Sequence, residues 1–116
     1  MQYMLLIHSS ENGWSELAPA EQDQWMAAYR DFHEKLIEGD VLRGVNRLQP
    51  SSTATVVRVT NGKPLVTDGP FAETKEQLGG YFLIEAPDLD AAIAWAGKCP
   101  GARHGAIEIR PVLGEL

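Results

Sequence analysis

Two residues of this sequence have the side-chain chemistry of an acid–base pair and lie at the ends of predicted strands. Asp68 begins the turn Asp68-Gly69-Pro70-Phe71, where Pro70 fixes φ and Gly69 permits a tight bend. His8 ends the first predicted strand, next to a loop of small polar residues. A carboxylate beside an imidazole can orient the ring or accept a proton from it. We therefore take His8 and Asp68 as the candidate catalytic residues.

Each of these two residues also has a simpler interpretation. Asp68 can cap its own backbone in an Asx-turn, which would make its role purely structural. His8 can be a histidine at a strand edge that is satisfied by a single hydrogen bond. The sequence leaves both alternatives open.

Other residues near the turn are candidates for contacts with a small ligand. Lys75 lies in a polar segment that either rims a pocket or forms a solvated loop. Tyr81 begins the next strand, and its hydroxyl can reach a buried ligand. Trp14, in the loop after the first strand, is a candidate lid. The predicted ligand-binding residues are Gly69, Pro70, Phe71, Lys75 and Tyr81.

Metal and cofactor chemistry has little support in the sequence. His33 is expected on a partly exposed helix face and His104 on the surface, and the histidines form no HxH or HxxxH pair. Cys99 is the single cysteine, so it has no partner for an internal disulfide. No Gly-rich phosphate-binding loop follows a predicted strand. We therefore predict no metal and no cofactor.

Length, composition and charge limit the class of protein. The 116 residues fit one domain, spanning 1–116, and 44% apolar residues are enough for one core. A net charge of -6 without a Lys/Arg cluster disfavours binding to nucleic acid. The apolar run over residues 1–7 is too short for a signal peptide or a membrane span. We expect a cytoplasmic protein without a membrane partner.

Hydrophobic periodicity predicts the elements of the first half of the chain. A strand over residues 3–8 has few polar residues, which is typical of a strand covered on both faces. A helix is predicted from Pro19 to about Glu38, and Gly39 is expected to end it in the left-handed conformation. Four residues at helical spacing form its apolar stripe: Trp25, Tyr29, Phe32 and Leu36.

The second half of the chain begins with a strand predicted to about residue 48. Asn61-Gly62 is a strong hairpin signal and predicts a hairpin over residues 53–67. Residues 71–78 are predicted to be a loop or a loose helical turn, and 81–85 a buried strand.

Two further elements complete the predicted order. Asp88 is a good N-cap for a second helix, and residues 105–112 alternate as a final strand. The order β-α-β-(hairpin)-β-α-β predicts an α+β, ferredoxin-like fold with an antiparallel sheet and both helices on one face.

The other face of this sheet would present Met4, Leu6 and His8, which is too apolar to face water. A homodimer that packs sheet to sheet would cover it, and the alternative is that the inserted loops cover it within one chain. We predict the homodimer.

Four segments of the chain resemble a known family. The block Asp68-Gly69-Pro70-Phe71-Ala72-Glu73-Thr74-Lys75-Glu76, followed by Gly79-Gly80-Tyr81-Phe82, resembles the signature of the YCII-related family in its DGPF branch. The opening Tyr3-Met4-Leu5-Leu6-Ile7 and the closing Ile107-Glu108-Ile109-Arg110-Pro111-Val112 are similar to that branch as well.

This resemblance implies a dimeric α+β barrel. It also implies a His-Asp pair in a cleft, for which His8 and Asp68 are the best match here. Members of the DGPF branch often resemble proteins encoded beside, or fused to, extracytoplasmic-function sigma factors.

Three functional hypotheses follow from the residues and the resemblance. The first is a small-ligand-binding or regulatory module, and regulation through such sigma factors is one form of this hypothesis. The second is a small cofactor-independent enzyme that uses His8 and Asp68 on a small organic substrate. The third is that the Asp68 turn only lets the hairpin rejoin the sheet.

Overall fold

The computed structural model describes residues 1–115. Its elements follow one another in the order β1 (Gln2–Ser9), α1 (Glu11–Ser15), α2 (Pro19–Glu38), β2 (Leu42–Arg47), β3 (Thr55–Thr60), β4 (Lys63–Asp68), β5 (Gln77–Glu85), α3 (Leu89–Lys98) and β6 (Ala106–Pro111). Short 3-10 turns cover Ser51–Thr53 and Pro100–Arg103.

Four of the strands form one antiparallel sheet in the order β2-β5-β1-β6. Strands β1 and β2 are joined through α2 and separated by β5, which is the split β-α-β arrangement. Strands β3 and β4 pair only with each other, as an inserted hairpin. The predicted α+β, ferredoxin-like fold is confirmed.

The core lies between one face of the sheet and two helices. Tyr3 and Leu5 alternate along β1 and are buried, and they pair with Ile84 and Phe82 of β5. The same cluster contains Phe32 and Leu36 of α2 and Ala92 and Ala96 of α3. Because these side chains meet on one side of β1, both helices lie on one face of the sheet.

An edge-to-face aromatic pair fixes the centre of this core. The rings of Phe32 and Phe82 lie 5.1 Å apart at an interplanar angle of 85°, an arrangement that adds about 0.5–1.5 kcal/mol to area burial.

The helix ends are partly as the sequence predicts. The Asp88 carboxylate accepts a hydrogen bond of 2.9 Å from the Ala91 amide, which confirms the N-cap of α3. At the end of α2, the prediction for Gly39 is wrong: Gly39 is right-handed, and Asp40 has the positive φ of 54°. Gly39 has a packing role instead, because a Cβ there would lie 3.2 Å from the Trp95 ring.

Two segments predicted to be irregular are ordered elements. Residues 11–15 form the short helix α1 rather than a loop. Strand β5 begins at Gln77, four residues before the predicted start, and runs through Gly79 and Gly80. Gly80 is required there, because a Cβ would lie 2.8 Å from the Asn46 carbonyl oxygen of β2. Gly80 therefore permits the close pairing of β5 with β2.

The hairpin β3–β4 projects from the rest of the molecule. Asn61 and Gly62 have φ of 52° and 76°, which confirms the predicted tight turn. The radius of gyration is 16.2 Å, whereas a compact chain of this length would have about 13 Å. The extra extent is consistent with a hairpin whose side chains, such as Val59 and Val66, are largely exposed.

The sheet face opposite the helices carries Met4, Leu6 and Leu83, and their side chains are only half-buried. No segment of residues 1–115 buries them completely. The homodimer that would cover them stays a prediction. In the same part of the chain, no helix is both long enough and apolar enough to span a membrane.

Candidate functional site

A cavity of about 800 Å³ lies beside the core, between α2 and one end of the sheet. Its inner wall includes Ile7, Val45 and Phe82, which belong to three neighbouring strands. The cavity is within the size range of about 300–1,000 Å³ that is usual for sites of small molecules. It is therefore the strongest candidate for a ligand site in the described part of the chain.

The outer wall of the cavity is the first half of α2. Phe32 and Leu36 from the predicted apolar stripe are buried in the core, whereas Trp25 and Tyr29 are only half-buried and line the cavity. The rings of Trp25 and Tyr29 are stacked, with centroids 6.2 Å apart. One helical stripe thus serves the core at its C-terminal end and the cavity at its N-terminal end.

The short helix α1 lies at the rim of the cavity and supplies Trp14 to its lining. The Trp14 carbonyl accepts a 3.0 Å hydrogen bond from the Gln22 side chain of α2. The Glu11 carboxylate accepts hydrogen bonds from the Ser51 hydroxyl and, at 2.6 Å, from the Ser51 amide. The hydroxyl bond and then the amide bond hold the pKa of Glu11 below its usual value. These contacts tie α1 to α2 and to the turn before the hairpin.

The buried thiol of Cys99 and the half-buried phenol of Tyr29 lie where α2 meets the turn at Pro100–Arg103. Tyr29 and Cys99 lie close enough to interact, and burial raises the pKa of both groups, in Tyr29 with a further contribution from Cys99. The Cys99 thiol is therefore protonated at neutral pH and is not an activated nucleophile. Gly101 lines the same region, and a Cβ there would lie 2.6 Å from the Tyr29 hydroxyl.

Four basic side chains reach the cavity. Arg30 and His33 come from α2, Arg47 ends β2, and His104 follows the last 3-10 turn. The His104 ring contacts Trp25, with centroids 3.7 Å apart. His33 is half-buried on α2 and His104 is exposed, as the sequence predicts, and both also line the cavity.

The turn at Asp68 closes the base of the hairpin. The Gly69 amide donates a 2.8 Å hydrogen bond to the Ala54 carbonyl, and Gly69 has a φ of 102°. The Arg58 guanidinium lies 5.3 Å from the centre of the Phe71 ring, which is itself 77% exposed. These contacts show what the turn does in the fold: it fastens β4 to the start of β3.

The Asp68 side chain is exposed and forms no hydrogen bond or ion pair within residues 1–115. The expected Asx-turn bond is thus not formed. The His8 imidazole lies elsewhere: its Nε2 is 3.0 Å from Oε1 of Glu108 on the adjacent strand β6. The structure pairs His8 with Glu108, and it does not bring His8 and Asp68 into contact.

Glu108 is held between two basic groups on the sheet face opposite the helices. Its other oxygen accepts a 2.6 Å hydrogen bond from Arg110. The bond from Arg110 and then the bond from His8 lower the pKa of Glu108. The arrangement explains how His8 is satisfied without Asp68.

The remaining predicted ligand-binding residues fall into two places. Tyr81 is in the wall of the large cavity, where its hydroxyl accepts a 2.8 Å hydrogen bond from the Asn46 amide. Gly69, Pro70 and Lys75 line a second cavity of about 590 Å³, while Phe71 lines neither. The two cavities share Ser10 and Glu11, so the start of α1 separates them.

A family model for the YCII-related domain matches residues 1–115 of this chain. The chain belongs to the YCII-related domain family. It is also 36% identical over 114 residues to an uncharacterised protein of Rhizobium meliloti (strain 1021), covering 97% of this chain and 92% of that protein. The YCII-related match confirms the family that the sequence segments resemble.

No group of three or more metal-ligating side chains is close enough to hold an ion among the residues the structure describes. Arg30, Arg47 and Met26 are among the cavity-lining residues of this YCII-related protein for which the sequence predicted no role in a site. The sequence did contain a signal that α2 lines a cavity. Its apolar stripe has two large aromatic residues near the N-terminal end of the helix, beside the ends of β1 and β2. No sequence pattern indicated Arg47.

Proposed function

We propose that this YCII-related protein is a small-ligand-binding module whose ligand occupies the cavity between α2 and the sheet. The observation that supports the proposal is the pair Trp25 and Tyr29, large aromatic residues that line the cavity and are only half-buried. Complete burial of a large apolar side chain contributes about 1.5–3 kcal/mol relative to full exposure, and the half-buried Trp25 and Tyr29 forgo part of this stabilisation. A ligand that fills the cavity would recover part of this free energy.

Screening by NMR tests the proposal. Titration of the ¹⁵N-labelled protein with a library of small organic molecules is expected to shift the indole signals of Trp14 and Trp25. Trp95, which packs against Gly39 outside the cavity, is the internal control. A Met26→Trp variant, which partly fills the cavity, is expected to bind the same compounds at least tenfold more weakly. Binding that leaves the two cavity indoles unmoved would contradict the proposal.

We propose that the module acts in regulation linked to extracytoplasmic-function sigma factors, in the cytoplasm. The support is the resemblance of residues 68–76 to the DGPF branch and the single cysteine, which needs no oxidising compartment. Deleting the gene is expected to change transcription from promoters that depend on such a sigma factor. Unchanged transcription in the deletion strain would count against this role.

We propose further that two copies pack through the sheet face that carries Met4, Leu6 and Leu83. Three partly exposed aliphatic side chains on adjacent strands support this interface. It would also cover the charged group of His8, Glu108 and Arg110.

An enzyme remains the alternative proposal, with His8 and Asp68 moving a proton on a small organic substrate. The His8 imidazole, oriented by its hydrogen bond with Glu108, supports it, while the missing contact to Asp68 within one chain does not. Turnover lost in both His8→Ala and Asp68→Asn would favour an enzyme. Turnover that survives Asp68→Asn would exclude this pair.

A further inference from the structure

We propose that the ligand of the cavity is an organic acid with an aromatic or apolar body, whose acidic group is bound by Arg30 and Arg47. The inference rests on the proposed ligand-binding function and names the chemical class of the ligand. It begins from a contrast in charge between the cavity and the rest of the chain.

The chain is acidic, with 16 Asp and Glu residues against 10 Lys and Arg. The cavity has the opposite balance, because its lining includes Arg30, Arg47 and two histidines but only one carboxylate, Glu11. An acidic protein thus places a locally basic surface around this cavity. Such a surface favours an anionic ligand and disfavours a cationic one.

The single carboxylate does not neutralise these arginines. Both oxygens of Glu11 accept hydrogen bonds from Ser51, on the turn before the hairpin. No ion pair joins Glu11 to Arg30 or Arg47 within residues 1–115. The Glu11 carboxylate therefore interacts with the Ser51 donors and not with the two arginines.

Arg30 and Arg47 have no ion-pair or hydrogen-bond partner in the part of the chain that the structure describes. Among the other basic residues, Lys35 pairs with Asp31, Arg43 with Asp40 and Arg110 with Glu108, whereas Lys63, Lys75 and Arg103 form no ion pair in the described part of the chain. A guanidinium group is suited to bind a carboxylate through two parallel hydrogen bonds. The two unpaired arginines at the cavity can therefore receive an acid group.

The aromatic or apolar character of the rest of the ligand is inferred from the other side chains that line the cavity. Trp14, Trp25 and Tyr29 provide flat aromatic surfaces, and Ile7 and Phe82 provide apolar ones. Flat apolar groups pack well on such walls, and a hydrophilic acid such as a short sugar acid would leave them poorly covered. An aromatic carboxylate combines the two requirements.

Matched pairs of acids and amides test this inference with the full chain. Benzoate and benzamide, indole-3-acetate and indole-3-acetamide, and naphthalene-2-carboxylate and its carboxamide are titrated at neutral pH by calorimetry. The site is located by the NMR signals of Trp14 and Trp25. We expect the carboxylate of at least one pair to bind about tenfold or more tightly than its amide, as charged hydrogen bonds predict.

Arg30→Gln and Arg47→Gln are each expected to weaken carboxylate binding by about tenfold or more. Both variants should leave binding of the matching amide within about twofold. The matched control is Arg58→Gln, because Arg58 lies on the hairpin against Phe71 and outside the cavity. It should change neither affinity.

Each outcome decides the inference. Equal affinity for the acid and the amide would overturn the assignment of an organic acid as the ligand, but it would leave the proposed ligand-binding function intact. A preference that survives in both arginine variants overturns the assigned residues. If no member of any pair binds, and the wider library does not bind either, both the acid and the proposed function fail.

Discussion

At the edge of the cavity, Gly101 lies within reach of side chains from three elements. A Cβ at this position would lie 2.6 Å from the Tyr29 hydroxyl, 3.0 Å from Ile7 and 3.3 Å from Ile107. Distances below 3 Å require a neighbour to move, and Tyr29 is part of the cavity wall. Gly101 therefore sets how closely α2 approaches this end of the sheet.

Gly101→Ala is expected to lower the free energy of unfolding by about 1–3 kcal/mol, because it overpacks the contact with Tyr29. Urea denaturation followed by circular dichroism measures the change. The matched control is Gly97→Ala, since a Cβ at that position on α3 meets no atom within 4 Å. Its expected effect is a gain of about 0.5–1 kcal/mol from helix propensity. Equal effects of the two variants would show that Gly101 is not tightly packed.

Tyr29 and Cys99 predict a loss of stability at alkaline pH. Burial raises the pKa of both groups in the folded state. In the unfolded chain these groups ionise at about pH 8.5 for Cys and about pH 10 for Tyr. Their contribution is therefore complete below about pH 8.5 and is lost as pH rises toward the raised folded values.

Urea denaturation at about pH 7, pH 9 and pH 10.5 checks this prediction. The double variant Tyr29→Phe with Cys99→Ala cannot ionise at these positions, so its stability should fall less with pH than that of the original chain. Parallel declines of the two proteins would contradict the prediction.

At the scale of elements, α1 is a helix of five residues with no buried side chain. So short a helix is not stable alone in water. Its position depends on the Glu11–Ser51 bonds and the Gln22–Trp14 bond. We infer that α1 is the element at the cavity rim that opens most easily.

Glu11→Gln is expected to loosen α1, since an amide replaces a carboxylate that accepts two hydrogen bonds. Hydrogen exchange at residues 11–15 should become at least threefold faster. In Glu16→Gln, the control at the end of the same helix, exchange should stay unchanged. Protection of residues 11–15 that is insensitive to Glu11→Gln would show that other contacts hold α1.

The Glu11–Ser51 hydrogen bonds also make the stability of α1 depend on pH in the acidic range. Because its pKa is lowered in the folded state, the ionised Glu11 stabilises the fold above its ordinary value near 4.5. This contribution is lost as pH falls through the lowered folded value. Below about pH 4.5, the protection factors of residues 11–15, which correct for the intrinsic pH dependence of exchange, should therefore fall in the original chain and change less in Glu11→Gln.

At the scale of the whole molecule, the dimensions of 49 × 41 × 18 Å describe a flat shape with a projecting hairpin. One broad face of the sheet carries the helices and the other carries Met4, Leu6 and Leu83. The cavity lies on the helix side, so a partner on the opposite face would leave it free to bind a ligand.

The proposed dimer predicts that Leu6→Asp produces a monomer, because a buried unpaired carboxylate in an apolar interface costs several kcal/mol. Size-exclusion chromatography with light scattering measures the mass. Val59→Asp on the exposed hairpin is the control and should keep the mass of the original chain. A monomer before any substitution, or a dimer that survives Leu6→Asp, would exclude this interface.

The sequence by itself determined the order of elements, the ferredoxin-like fold and the family. These depend on local signals, such as the helical stripe of α2, the Asp88 cap and the Asn61-Gly62 turn, which act over a few residues. It did not determine α1, because that helix depends on Ser51 and Gln22 rather than on its own propensity. Gly39 was misassigned because its packing against Trp95, 56 residues later in the chain, has no local signal.

Only the tertiary structure decided which side chains form the candidate site. His8 pairs with Glu108, 100 residues away, because β6 and not the hairpin lies beside β1. The cavity likewise joins α1, α2, three strands and the last 3-10 turn. Spacing along the chain fixes contacts within an element, whereas contacts between elements depend on strand order and on how the layers pack. The Asp68 turn and its position after the hairpin were predictable from the sequence, but only the fold shows that this hairpin lies outside the main sheet and that His8 pairs with Glu108 instead of Asp68.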